Sequence, residues 1–431
     1  MRFGQPKHVL HTLAFACGIL IAASPARPEA CKVDTPPAAT LLLPYFEVDL
    51  SRTDGITTMF SIGNATASAT LAHVTLWTDL GVPTLNFNVY LTGWDIETLN
   101  VRDLFNGKLP RTASDGQDPT DTISPQGAFS QDIHFASCQG ILPLPDKPAA
   151  LLSHLRAAHI GASSPILNGC SGRALGDNRA RGYITVDVVK GCTLLFPSDP
   201  GYFGPNGVAA SNNVLFGDYF IVDSPQNAAR GDELVRIEAF PGRFRPGDPT
   251  FYGRFKHGGA TNYQAVDDRE PLPSKWATRY LKGGVFDGGS SLVVWRDVGV
   301  QTTAFACNSV PPPLAHEDVR AFDEEENVEL PQTCPILCPP TPVHLNFPAA
   351  SQRVDIDDIT LDSGFGGTGA PISFAFGWLE VQFFNPHQGY VDYGQAWVGV
   401  ELEAAGRFSL ATVATALDTS CSPPAPLQGG L

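Results

Sequence analysis

The sequence predicts a mainly β protein: β-sandwich modules with long loops and one short helix, stapled by disulfides. Three observations carry this. Charged residues make up only 17% of the 431 residues, while Gly (42) and Pro (37) are abundant, a balance that favours short strands joined by turns over long solvated helices. Between Ala39 and Leu104 apolar residues recur at period two, the spacing that turns one face of a strand into a core. The cysteines reach an even number once an N-terminal leader is set aside, as a disulfide framework requires.

That leader is Met1 to Ala26. Arg2 and Lys7 supply a basic start, Val9 to Ala23 an apolar run, and Ala22-Ala23-Ser24-Pro25-Ala26 the small residues of a cleavage site placed after Ala26. The run is interrupted by His11, Thr12 and Gly18 and is shorter than the roughly 20 residues a spanning helix needs, so no membrane insertion is expected after cleavage.

The N-terminal β-sandwich module, residues 27–105, opens with strands at Leu41–Val48, Ile56–Ile62 and Thr70–Thr78. After Leu80-Gly81-Val82-Pro83, Leu85, Phe87, Val89 and Leu91 alternate with polar partners, so the last two strands form a hairpin, and Leu99–Phe105 reads as a further strand. A central β-rich region, 106–310, begins with the polar stretch Asn106–Pro125 and holds the helix, about 147–160. Asp146 can cap it, Pro148 suits its first turn and Gly161 is placed to stop it. Strands follow at Tyr183–Val189, Val214–Val222, Leu234–Phe240, Phe251–Phe255 and Ser291–Arg296, with the turn-rich excursion Phe196–Gly207 between the first two. Residues 311–348 are rich in proline and acid, with Pro311-Pro312-Pro313 and Asp323-Glu324-Glu325-Glu326, and read as a linker or surface crossover. A C-terminal sheet module, 349–421, has strands at Ser373–Phe383, Ala396–Glu403 and Phe408–Leu417, before a tail at 422–431. No repeat of fixed period runs through the chain, which argues against solenoids and propellers.

Cys17 leaves with the leader, so of nine cysteines eight remain: Cys31, Cys138, Cys170, Cys192, Cys307, Cys334, Cys338 and Cys421. Their pairing is open, with a local Cys334–Cys338 bridge and a bridge anchoring Cys421 as candidates. Such a framework places the protein in an oxidising compartment, secreted to the periplasm or beyond the cell. Losing the two leader cations deepens the formal net charge from −16 to −18. A surface that acidic repels phosphate backbones, which excludes nucleic acid as a partner.

Candidate chemistry is sparse. Asp355, Asp357, Asp358 and Asp362 gather four carboxylates ahead of a Gly-rich turn; hard oxygen ligands at close spacing suit calcium, although the order of an EF-hand loop is missing. On a strand Asp355 and Asp357 would share a face, and a solvated acidic edge is the alternative. Asp267-Asp268-Arg269-Glu270 reads as an Asx turn with internal ion pairs. His154 and His159, five apart on the helix, point about 140° from each other and cannot form an i, i+4 metal pair. Trp77, Trp94 and Trp378 could stack on sugars, but tryptophans on alternating strands read as core. Asn64-Ala65-Thr66 matches the N-glycosylation triplet at an expected accessible turn. No G-x-S-x-G elbow, H-E-x-x-H or phosphate loop occurs.

The phrases Leu41-Leu42-Leu43-Pro44-Tyr45-Phe46-Glu47-Val48, Phe196 to Phe203 and Arg269-Glu270-Pro271-Leu272-Pro273 resemble those of a group of secreted bacterial all-β proteins without an assigned function. Residues 57–104 are similar, in strand pattern only, to immunoglobulin-like modules of bacterial surface proteins. The resemblance implies an immunoglobulin-like module and transfers no activity, and the fold class expected for the chain is immunoglobulin-like or jelly-roll-like β-sandwich modules. The expectation is an exported, non-enzymatic protein with a structural, adhesive or ligand-binding role, its partner a surface glycan or protein. The alternative is a polysaccharide hydrolase with its site in the 196–300 loops. Calcium is the one cofactor the sequence suggests, and the oligomeric state stays open.

Overall fold

The alternating segments become strands, and every strand pair among the described residues is antiparallel. The computed structural model describes residues 36–110, 149–204, 206–244, 248–253, 267–283, 288–297, 304–307, 317–329, 346–361, 370–384, 394–404 and 407–418. The leader, Asp362, Cys31, Cys138, Cys334, Cys338 and Cys421 lie outside these residues, and with them both proposed bridges.

The N-terminal strands are β1 (Thr40–Asp49), β2 (Thr57–Asn64), β3 (Thr70–Thr78), β4 (Pro83–Leu91) and β5 (Ile96–Asn100). Two helices, α1 (Val101–Phe105) and α2 (Ala149–His159), precede β6 (Arg179–Val189), β7 (Leu215–Phe216), β8 (Asp218–Asp223), β9 (Ala228–Glu233) and β10 (Val235–Ile237). Then come β11 (Lys275–Leu281), β12 (Gly289–Arg296), β13 (Glu317–Phe322), β14 (Val328–Glu329), β15 (Ser351–Asp355), β16 (Thr360–Leu361), β17 (Ala370–Pro371) and β18 (Phe376–Phe383). The last three are β19 (Ala396–Ala404), β20 (Phe408–Val413) and β21 (Thr415–Ala416).

Sheets draw on distant parts of the chain. The first runs β10-β1-β6-β3-β4 and the second β5-β2-β8-β9, with β7 also on β2. A third runs β15-β12-β19-β20 and a fourth β14-β13-β18-β11-β21, while β16 and β17 form a small pair. Thus β1 from the N-terminal segment lies between two strands of the central region, and β12 bonds to strands of the C-terminal segment. Residues 34–431 cluster as one unit. An aromatic series links the sheets: Trp77 of β3 stacks on Tyr183 of β6 at 5.6 Å, and Tyr183 meets Trp295 of β12 edge-on at 6.0 Å. Ser351 Oγ of β15 also donates to the carbonyls of Pro44 in β1 (2.6 Å) and Gly182 in β6 (3.1 Å).

Several sequence expectations are corrected. Leu99–Phe105 is not one strand, because β5 ends at Asn100, whose side chain accepts from Arg102 N and caps α1. Val101, Leu104 and Phe105, the buried residues, lie at helical spacing. Val214–Val222 splits at Gly217, where a Cβ would stand 2.1 Å from the Ser61 carbonyl. The described part of Phe251–Phe255 is a turn, yet Phe251 and Tyr252 are buried. The 311–348 segment contains β13 and β14, with Glu317, Val319 and Ala321 in the core. Neither β9 nor β11 is anticipated, although Trp276, Thr278 and Tyr280 alternate inward along β11.

α2 docks through His159, buried at its C-terminal end. Nδ1 lies 2.8 Å from the Arg181 carbonyl, which can only accept, so Nδ1 carries the proton and Nε2 accepts from Thr84 Oγ1 at 2.8 Å. The ring also packs edge-on against Phe105, centroids 5.1 Å apart. Gly161, at φ +73°, ends the helix where a Cβ would sit 2.3 Å from Ala174 N. Burial pushes the His159 pKa down to about 4. The folded value lies below the unfolded one, so this contribution to stability is complete above pH 6.5 and is lost as pH falls toward 4. The expected loss is about 3 kcal/mol, and in a pH series of chemical denaturation His159→Gln should flatten that slope.

Candidate functional site

A cleft of about 430 Å³ lies where β1 and β6 meet the chain from Asn346 to Asp358. Pro44 directly precedes the first lining residue, Tyr45. With no N–H to donate, the proline sits where the β1–β6 register shifts between Leu43 and Phe46, and Tyr45 and Glu47 line the cleft beyond it. Glu47 lies directly across from Arg181 in the ladder. Its Oε1 accepts from Arg179 Nη1 (2.9 Å) and Arg181 Nη2 (3.0 Å), and its Oε2 from the Tyr45 hydroxyl (2.9 Å). Burial alone would raise its pKa, but Arg181, Arg179 and Tyr45 hold the carboxyl below its ordinary range.

Four guanidinium groups line this cleft in a chain of net charge −16. Three are also held by carboxylates that do not line the cleft. Arg173 Nε donates to Asp79 (2.7 Å), Arg181 also pairs with Asp177, and Arg353 Nε donates to Glu401 of β19 (2.7 Å). Arg179 differs: its side chain is 40% exposed, and among the described residues only Nη1 is engaged, by Glu47. The opposite wall carries Asp358, exposed and without a side-chain partner among the described residues. Leu175, Pro348 and Val354 supply apolar rim.

The acidic segment proposed for calcium contributes to this wall. Asp355 ends β15 and accepts from Ser291 Oγ and from Arg353 Nη1 at 3.2 Å. Asp357 stands 3.4 Å from Lys282 Nζ. The chain turns through a short 3-10 segment at Ile356–Asp358 with Ile356 buried, so Asp355 and Asp357 do not share the face of a strand. Among the described residues no three His, Cys, Asp or Glu side chains are placed to hold a metal ion.

Beneath the first sheet's surface lies a second polar cluster, closed to solvent. Asp187 of β6 is wholly buried; its Oδ2 accepts from the hydroxyls of Tyr202 (2.8 Å) and Tyr252 (2.9 Å). Its Oδ1 accepts from Thr40 and lies 3.4 Å from Arg269 Nε. Arg269, 1% exposed, also donates to the carbonyls of Asp267 (2.8 Å) and Ala210 (3.0 Å). Burial, then the Asp187 charge, pushes both phenols well above their ordinary range, which keeps them neutral donors. The expected Asx turn is present, Asp267 Oδ1 accepting from Arg269 N at 2.9 Å. What the sequence could not show is that Arg269 points inward.

Other candidates fall elsewhere. Glu238 and Glu270 face each other beside the Ala239–Arg269 bridge, and burial followed by the Glu238 charge pushes Glu270 up to about 7. His154 is packed, its Nδ1 2.6 Å from Ser164 Oγ. Trp77 is core and Trp378 stacks on Phe322 at 3.9 Å, whereas Trp94 departs from the core reading at 60% exposed. Asn64 is 1% exposed rather than accessible: its Nδ2 donates to the carbonyls of Ser68 (2.7 Å) and Thr92 (2.9 Å), which removes it as a glycosylation acceptor in the folded chain. The Cys170–Cys307 disulfide is formed, with Cα atoms 5.0 Å apart, and Cys192 is also disulfide-bonded. Among the described residues no helix is long and apolar enough to cross a membrane.

No protein-family model, curated protein or solved structure matches this chain.

Proposed function

We propose that this chain is an exported, non-enzymatic binding protein that takes a glycan ligand in the arginine-lined cleft. The supporting observation is the convergence of Arg173, Arg179, Arg181 and Arg353 on one concave surface of an otherwise acidic chain, with Arg179 paired to Glu47 through Nη1 alone and 40% exposed. Pinned side chains around a cleft meet a ligand with little loss of rotamer freedom, so their hydrogen bonds contribute more of their strength to affinity. The volume falls within the roughly 300–1,000 Å³ usual for small-ligand sites. Export rests on the leader and on the disulfides, which persist in oxidising compartments.

The test is a glycan panel of neutral, acidic and sulfated members, probed with the purified protein and with Arg179→Gln. At least one glycan class should be retained by the native chain and lost, by about tenfold in affinity or more, in the variant. A panel in which nothing depends on Arg179 overturns the proposal.

A further inference from the structure

We propose that the ligand of the cleft is a sugar acid, a pyranose ring bearing a carboxylate. This deepens the reading of the cleft as a glycan site and rests on it. Three features of the walls fit the three parts of such a molecule. Arg179 presents a planar fork with all but one of its terminal donors unengaged among the described residues, and a guanidinium fork matches a carboxylate in bidentate geometry. Asp358, exposed on the other wall, is an acceptor without a side-chain partner among the described residues, suited to hydroxyl donors. Leu175, Pro348 and Val354 give the rim an apolar surface for the C–H face of a ring.

The competing ligand chemistries each leave at least one feature unmatched. A compact inorganic anion held by Arg179 has no ring to rest on the apolar rim and no sugar hydroxyls to donate to Asp358. A neutral sugar offers no carboxylate to the part of the Arg179 fork that Glu47 does not engage. The other three arginines do not alter this selection, because Asp79, Asp177 and Glu401 already hold them; they fix the walls and offset the negative field of the chain.

The experiment is isothermal titration of the full chain with galacturonate and glucuronate, alongside glucose and acetate, repeated on Arg179→Gln and Asp358→Ala. Both positions are solvent-accessible, and near-ultraviolet circular dichroism verifies that each variant keeps native packing. Uronate binding is expected, weakened about tenfold or more by either substitution, with glucose and acetate at least about tenfold weaker than the uronate. Acetate binding as tightly as uronate, glucose binding as tightly, or indifference to Asp358→Ala each overturns the assignment. If the uronates fail while another glycan binds in an Arg179-dependent manner, the ligand class falls and the cleft stands; if no glycan depends on Arg179, the cleft falls too.

Discussion

Replacing Asp187 by alanine is expected to lower stability by about 3–5 kcal/mol, the cost of removing one partner of a buried, hydrogen-bonded charge cluster. The reason is the number of groups it serves. The carboxylate accepts from Tyr202, Tyr252 and Thr40 and lies beside the Arg269 guanidinium, all in an interior closed to water. Its removal strands the Tyr202 hydroxyl, takes one partner from Tyr252, and leaves the buried Arg269 guanidinium with the Thr40 hydroxyl, two backbone carbonyls and aromatic rings, among them Phe203 at 5.2 Å. A denaturant midpoint series gives the measurement. Asp187→Ala combined with Arg269→Met should recover part of the loss, because the uncompensated charge leaves with Arg269. A single-variant loss below about 1 kcal/mol would show that the cluster is not held as described.

The second large effect is the loss of the Cys170–Cys307 disulfide, whose partners are 137 residues apart in sequence. A cross-link closing so long a loop removes much of the freedom of the unfolded chain, and its deletion is expected to cost about 2–5 kcal/mol. The bridge ties the segment following α2 to residues 304–307, where Cys170 and Phe305 also exchange backbone hydrogen bonds at 2.9 Å. Guanidinium unfolding of the native chain and of Cys170→Ala/Cys307→Ala measures the difference. Reductant should lower the midpoint of the native chain and leave unchanged any part of it due to this bridge in the variant. Equal midpoints for both proteins under oxidising conditions would contradict the expectation.

Much of the fold was legible because strand periodicity is local. β1 to β4, β6, β12, β18 and β19 lie within a few residues of the runs read from the sequence; β18 buries every second residue, whereas β1, β3, β6 and β12 are buried on both faces. The signal failed where a different rule operated over a short stretch. At Val101–Phe105 helical spacing and the Asn100 cap prevailed over an apparent alternation, and β9, Ala-Ala-Arg-Gly-Asp-Glu, is a strand because β8 hydrogen-bonds it rather than because its residues prefer to be one. The cleft was less legible still. Arg353 and Asp358 stood in a segment singled out for its carboxylates, but nothing local announces that Glu47, 132 residues before Arg179, sits across from β6.

What the sequence determined by itself is the class of the protein: mainly β, acidic and cysteine-bearing, with a leader-like start. These properties follow from composition and from short-range period, which need no knowledge of what touches what. Only the tertiary structure decided which charges meet. It buried Arg269 against Asp187, turned Asn64 into a structural amide and gathered four arginines around one cleft, because side-chain environment depends on pairings between strands far apart in the chain. For the same reason the disulfide partner of Cys170 could be any of seven cysteines on paper and is one in the fold.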